Sequence, residues 1–144
     1  MSAPIEVNPL SYGHLLAYAD LSAKQYYLVK ATSNGIELCG TAGEQVSGVL
    51  LNKPIANEPA KVAYAGVVPC VAGGTIAVGD RIKTDTAGKG VAAQASYVNT
   101  SDGGAAQDPV VGSNVIGIAL SAAASGEQFN LQIALMGAIP TTAA

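Results

Sequence analysis

The residues that could carry chemistry are few and dispersed along this chain of 144 residues. His14 is the single histidine, so a serine–histidine–acid triad or a histidine-ligated metal site would depend on it alone. Cys39 and Cys70 lie far apart among apolar residues, and no basic residue adjoins Cys39 to activate its thiol. We therefore expect no catalytic residue, no metal site and no cofactor. Both cysteines should be buried free thiols.

The glycine-rich segments do not have the spacing of a phosphate-binding loop. Gly40–Gly43 and Gly73–Thr75 lack the Gly-Lys-Ser/Thr ending that places a lysine on phosphate. Gly88–Gly90 contains a lysine, but no hydroxyl residue follows it. These glycines are expected to supply positive φ angles in tight β turns.

The carboxylates are also isolated from one another. Neither Asp80 and Asp85 nor Asp102 and Asp108 show the alternating ligand spacing of a calcium loop. Asp80 follows Gly79, a pairing typical of a turn in which the carboxylate accepts hydrogen bonds from nearby backbone amides. A hydrolase with paired carboxylates is an interpretation that these isolated residues do little to support.

The composition limits the classes of partner. Charged residues are 12% and hydrophobic residues 49% of the chain, which is too apolar for a disordered protein. The net charge is −3 and the seven basic residues are scattered singly, so we expect no nucleic-acid binding. No apolar run approaches the roughly 18 residues of a membrane span. A surface with so few charges is often covered by other subunits, which predicts an oligomer.

The patterns of apolar and turn residues predict a mainly β fold. Residues 25–30 and 36–39 read as two strands joined by an Asn-Gly hairpin turn at Asn34-Gly35. Residues 128–135 alternate strictly, with Phe129, Leu131, Ile133 and Leu135 on one face, which predicts a strand with that face buried. No long segment keeps a helical period.

Part of the sequence recurs. Gly48-Val49-Leu50-Leu51 is matched by Gly117-Ile118-Ala119-Leu120, an offset of 69 residues (117 − 48), and Glu58 and Glu127 keep that offset. The following Gly66-Val67-Val68-Pro69 and Gly137-Ala138-Ile139-Pro140 are offset by 71 residues (137 − 66), which implies an insertion. Two similar β units packed into one domain are the expected result. The polar segment Asn99 to Asp108 separates the two halves and is a candidate mobile surface loop.

Residues 1–20 are predicted to form an extended N-terminal arm, and residues 21–144 the β domain. Prolines favour extended backbone in the arm, and the apolar side chains are spaced along it: Pro4, Ile5, Val7 and Leu10. The arm is either a frayed terminus or a strand that adds to the sheet edge of a partner. Residues 15–19 could instead form a short helical turn. The chain starts with no signal-sequence pattern, and we expect synthesis in a reducing cytoplasm.

The order of several short segments resembles the capsid cement, or head decoration, proteins of tailed bacteriophages. The resemblance runs from about Asp20 to Leu135 and is carried by these segments: Asp20–Lys30; Gly48-Val49-Leu50 with Pro54; Gly66-Val67-Val68; Gly73–Ile82; Gly117–Leu120; Ala122–Glu127; and the final alternating strand. Residues 1–20 and 99–108 are not part of it.

This resemblance implies a small single-domain β-barrel or β-tulip-like fold and a structural role outside an expanded icosahedral shell. The expected partners are the major capsid protein and two further copies in a homotrimer, with no nucleic acid and no membrane. The protein would be made in the host bacterial cytoplasm and located on the capsid exterior. Pro4, Ile5, Val7 and Leu10 are the candidate capsid-contact residues, and the family motifs contain no catalytic residue to carry over.

A β binding module that recognises a carbohydrate or a host surface is the alternative. Sugar sites commonly use exposed aromatic rings, and this chain has no tryptophan and one phenylalanine. Strand alternation is expected to place Tyr26, Tyr27 and Tyr64 partly in the core. The sequence therefore favours the structural role over the binding module.

Overall fold

A computed structural model of the protein describes residues 4–93 and 114–138, the last three of these by their backbone only. The described residues form β strands and loops, with no helix among them. This described part of the chain contains nine strands, which are β1 (Val7–Tyr12), β2 (Leu28–Thr32), β3 (Gly35–Leu38), β4 (Gly48–Leu50), β5 (Val62–Val71), β6 (Arg81–Thr84), β7 (Gly90–Ala92), β8 (Asn114–Ala119) and β9 (Gln128–Ala138). The prediction of a mainly β fold is confirmed.

All named strands belong to one sheet whose neighbouring strands are antiparallel. The strand order is β3-β2-β4-β5-β9-β8-β6-β7, and β1 pairs with β5 outside this path. The sheet curls into an open half-barrel, as the expected barrel-like fold implies. Loop 99–108, the predicted mobile segment, lies outside the described residues.

The strand and turn predictions for residues 25–39 and 128–135 hold with two exceptions. The hairpin turn is present, with Thr32 opposite Gly35, and Phe129, Leu131 and Ile133 are buried. Leu135 is 54% exposed, so the burial predicted for it is wrong. β8 and β9 change register between Val115 and Gly117, and this irregularity ends the alternation before Leu135. The second exception is at residues 25–27, which precede β2 and include Tyr26, whose φ of 68° is left-handed rather than extended.

The predicted repeat is confirmed by equivalent hydrogen bonds in the β4–β5 and β8–β9 hairpins. The Leu51 N–H donates to the Lys61 carbonyl at 2.8 Å, and the Leu120 N–H donates to the Asn130 carbonyl at 2.8 Å. The side chains of Glu58 and Glu127 each accept a bond from the backbone N–H three residues earlier. The repeated glycines also have one role, since a Cβ on Gly48 or Gly117 would strike a carbonyl of the neighbouring strand.

The repeat extends well before the segment in which it can be read from the sequence. The Ala17 N–H donates to the Glu58 carbonyl as the Ala72 N–H donates to the Glu127 carbonyl, both at 2.8 Å. Ala17 forms a parallel bridge with Ile36, and Ala72 forms the same bridge with Gly90. We therefore define a first repeat, residues 7–65, and a second repeat, residues 66–138. The 15–19 segment forms bridges rather than a helical turn.

Strand β5 belongs to both repeats. Its residues 62–63 pair with β4, and residues 66–71 pair with β9. The Tyr26 N–H bonds to the Leu50 carbonyl, opposite Val62, while the Tyr26 carbonyl accepts the Val71 N–H. Nine residues of straight strand would span about 30 Å, so β5 must bend for both ends to reach one tyrosine. The bend coincides with Gly66, whose φ is +98°.

The buried side chains form two clusters, one made of first-repeat residues alone and one that contains residues of both repeats. In the first repeat, Ile36 and Ala60 belong to one buried cluster. The positions equivalent to them in the second repeat are Gly90 and Phe129. A Cβ on Gly90 would lie 3.0 Å from the Phe129 ring. A large and a small residue have thus exchanged places, which keeps the core filled without keeping the residue types.

Candidate functional site

The N-terminal segment is an edge strand of the sheet, placed there by its pairing with β5. Val7 lies opposite Val67, and Tyr12 lies opposite Val62. The pairing is irregular between Val7 and Ser11, where Asn8 has a φ of 45° and Pro9 has no N–H to donate. Among the described residues, β5 is the one strand with which β1 pairs. The outer edge of β1 therefore faces away from the sheet.

Two hydrogen bonds fix the start of this segment to both repeats. The Tyr26 hydroxyl donates to the Glu6 carboxylate at 3.1 Å. The Ile5 N–H donates to the Asn130 Oδ1 at 3.1 Å, which places Ile5 over the outward side of β9. Burial, with a further contribution from Glu6, raises the pKa of Tyr26. The segment is thus held on the molecule before β1 begins.

The apolar side chains of this segment nevertheless face solvent. Ile5 is 61% exposed, Val7 44% and Leu10 56%, while Pro4 is half-buried. We call Ile5, Val7 and Leu10 the N-terminal apolar surface. Isolated exposed apolar residues are ordinary, but here three fall within six residues of the chain, in and just before an edge strand. The four residues predicted to contact a capsid thus lie on one segment, and their role stays a prediction.

Sequence reasoning missed other exposed apolar residues, which are Leu16, Tyr18, Ile55, Val78, Leu120 and Leu135. These lie in loops, in short bridges or at a strand irregularity, where neither a helical nor a strand period predicts the direction of a side chain. Tyr64 is 42% exposed on β5, contrary to the expectation that it is partly in the core. Its ring stacks on Tyr12 with 6.0 Å between ring centroids.

The residues considered for catalysis are not brought together. His14 is exposed and packs against the Tyr12 ring, with 5.7 Å between ring centroids. Cys39 and Cys70 are buried free thiols, as predicted. Burial raises the pKa of each thiol to about 12, which keeps both protonated and poorly nucleophilic at neutral pH.

The acidic residues serve the turns, as predicted for Asp80. Its carboxylate accepts the Ala77 N–H at 2.9 Å, and the Asp85 carboxylate accepts the N–H groups of Ala87 and Lys89. Gly79 and Gly88 have positive φ, as expected of turn glycines. Gly73 does not have positive φ, so the expectation is wrong there; a Cβ at this position would instead meet the Asp85 carboxylate.

Within residues 4–93 and 114–138, no three histidine, cysteine or acidic side chains converge as metal ligands would. The same part of the chain contains no helix that could cross a membrane. The feature best suited to a function is therefore a surface, the N-terminal apolar surface.

Comparison with known proteins shows the fold. No family model and no curated protein sequence matches the chain. Among solved structures, the chain is similar to the N base of the head fiber protein gp8.5 of bacteriophage phi29, at a TM-score of 0.59 and 20% sequence identity. The match covers 92% of this chain and 98% of the other. At this identity the similarity shows a shared fold and nothing more.

Proposed function

We propose that this protein is a structural component of a phage virion that binds the outside of an expanded capsid, as a homotrimer, and stabilises the shell by bridging major capsid subunits. The observation that carries the proposal is the fold shared over nearly the full length with a protein that forms the base of a phage head fiber. The ordered sequence segments that resemble capsid decoration proteins are a separate line of support. The protein would act without catalysis, cofactor or nucleic acid.

The N-terminal apolar surface is the proposed contact with the capsid. An edge strand offers unpaired backbone groups that a strand of another protein can bind, and neighbouring side chains then supply specificity. Here Ile5, Val7 and Leu10 lie beside such an edge and are about half exposed or more. A capsid surface that covers them would gain roughly 25 cal/mol for each Å² of apolar area removed from water.

Weak contacts of this kind become effective through multivalency. A trimer presents three copies of the surface, and binding of one copy raises the effective concentration of the other two near the shell. The bridging that stabilises the capsid would follow from the same geometry, since each copy contacts a different capsid subunit.

The experiment is a binding assay on expanded, DNA-free shells of the phage that encodes the chain. Ile5→Asp, Val7→Asp and Leu10→Asp, combined in one variant, should abolish occupancy, because three carboxylates would have to be desolvated. Point changes are preferable to deletion of residues 2–10, which would also remove Val7 and Leu10 from the β1–β5 pairing. Ile55→Asp is the matched control, since Ile55 is 52% exposed in the loop between β4 and β5. Unchanged occupancy of the triple variant would refute the contact.

The stacked Tyr12–Tyr64 pair favours a second candidate, the β binding module. Aromatic rings at a surface can serve as platforms for sugars, and Tyr64 is more exposed than the sequence predicts. Retention on a glycan array that Tyr64→Ala abolishes, together with no binding to shells, would support this function over the structural one.

A further inference from the structure

The contact between the two repeats provides a template for a contact between two copies of the chain. The first repeat meets the second through backbone groups near Tyr26 and Leu28. The Tyr26 carbonyl accepts the Val71 N–H at 3.1 Å, and the Leu28 N–H donates to the Gly88 carbonyl at 2.7 Å. Because the two repeats are built alike, the surface on each side of this contact occurs twice in the molecule. One occurrence is covered by the other repeat, and the second lies at an end of the molecule.

On the first repeat, the residue equivalent to Val71 is Leu16, because they precede the equivalent residues Ala17 and Ala72. Val71 is 9% exposed, whereas Leu16 is 46% exposed. Thr84 and Ala31 are a second equivalent pair, since they lie opposite Gly90 and Ile36. Thr84 is buried and Ala31 is exposed. The surface that the second repeat uses to contact the first is therefore exposed at its equivalent position on the first repeat.

On the second repeat, the residue equivalent to Tyr26 is Gly79. The Gly79 N–H donates to the Ala119 carbonyl as the Tyr26 N–H donates to the Leu50 carbonyl. Arg81 is equivalent to Leu28, because Arg81 pairs with Ile118 as Leu28 pairs with Val49. Leu28 is fully buried, whereas Arg81 and Gly79 are exposed, and the adjacent Val78 is 68% exposed. The surface that the first repeat uses to contact the second is therefore exposed at its equivalent position on the second repeat.

We propose that the first-repeat face (Leu16, Tyr18 and Ala31) of one copy docks on the second-repeat face (Val78, Gly79 and Arg81) of another copy. The contact between two copies would have the same geometry as the contact that joins the first and second repeats within one chain. It is heterologous, since two different surfaces meet, and such contacts close into a ring when the rotation allows it. Arg81 replaces the buried Leu28 of the template, so the contact between copies is weaker than the internal one.

This inference rests on the proposed function, whose trimer it equips with a specific interface. The interface is tested with free protein and without capsids, so that its failure can be told apart from failure of capsid binding. The measured quantity is the molar mass in solution by analytical ultracentrifugation over a series of protein concentrations.

Leu16→Asp and Val78→Asp, made separately, should each give monomers, whereas the unmodified protein forms larger species. An equimolar mixture of the two variants should form dimers of one copy of each, because each variant keeps the face that the other has lost. Rescue on mixing also shows that both variants are folded. Leu135→Asp, a control at a residue 54% exposed on β9, should assemble like the unmodified protein.

Three outcomes would overturn the proposal. These are an unmodified protein that stays monomeric at its highest soluble concentration, single variants that assemble normally, and a mixture in which no dimer forms. The last result would mean that the two faces do not meet each other, whichever other surface joins the copies.

Discussion

At the scale of single residues, several carboxylates of this protein form hydrogen bonds with its own backbone N–H groups. Glu44 is an example, because its carboxylate accepts the N–H groups of Gly40 and Thr41 and a bond of 2.8 Å from the Lys30 ammonium. Burial acts to raise the pKa of Glu44, but these hydrogen bonds outweigh it and leave the pKa below its usual value. Acidic residues that look available in the sequence are thus used to hold turns.

The buried thiols predict how stability depends on alkaline pH. An unfolded cysteine ionises near pH 8.5, whereas the folded pKa of Cys39 and Cys70 is about 12. Between these values the folded state holds more protons, so the free energy of unfolding should fall as pH rises. Each thiol contributes at most about a tenfold loss in the folding constant per pH unit.

Urea unfolding at about pH 8 and about pH 10.5 measures this effect. The variant Cys39→Ala/Cys70→Ala should start less stable because of its cavities but lose less stability over the interval. Tyr12 and Tyr26, whose pKa values burial also raises, are unchanged in that comparison. Equal losses in the two proteins would contradict the assignment to the thiols.

At the scale of elements, the hairpins are the part of the fold that the sequence predicts best. The Asn34-Gly35 turn and the β4 and β8 glycines are recognisable because backbone geometry restricts which residues fit. The first half of each repeat is not recognisable, since the hydrogen bonds that the two repeats share there join backbone groups, which every residue type supplies. Tyr26 and Gly79 hold equivalent positions, although one has a large aromatic side chain and the other has none. Likewise, a large and a small residue in the first repeat correspond to a small and a large one in the second: Ile36 and Ala60, and Gly90 and Phe129. The N-terminal apolar surface is predictable from spacing, whereas the two repeat faces become visible only with the fold.

The bend of β5 predicts a large effect of one methyl group. Gly66→Ala should destabilise the protein, because φ is +98° and the new Cβ would lie 2.7 Å from the Asn8 carbonyl oxygen. Backbone strain alone costs about 1–3 kcal/mol, and displacement of β1 adds to it. Urea unfolding gives the difference in free energy.

Substitutions at two further glycines separate the contribution of backbone strain from that of the steric clash. Gly79→Ala carries strain without a steric clash, since φ is +91° and nothing lies within 4 Å of the new Cβ. Gly13→Ala carries neither, because its φ is ordinary and its surroundings are open. The expected order of destabilisation is Gly66, then Gly79, then Gly13. A Gly66 variant no less stable than the Gly79 variant would show that β1 does not pack on the bend.

At the scale of the whole molecule, the chain is a tandem repeat with two dissimilar ends. β1 lies along the first half of β5 much as the second half of β5 lies along β9. One end therefore presents the first-repeat face, and the other presents the second-repeat face. Both differ from the N-terminal apolar surface, so we expect that substitutions can alter the proposed self-association and the proposed capsid binding independently.

The shared strand β5 has a consequence for how the molecule unfolds. Neither repeat can lose its half of this strand without disturbing the pairing of the other, so we expect a single cooperative transition with no half-folded intermediate. Cys39 in the first repeat and Cys70 in the second report on this directly, since both are buried. Alkylation measured peptide by peptide across a urea series should expose both thiols at one midpoint. Separate midpoints would show that the repeats unfold one after the other. A common midpoint would mean that neither repeat unfolds before the other when the protein is heated or placed under mechanical force.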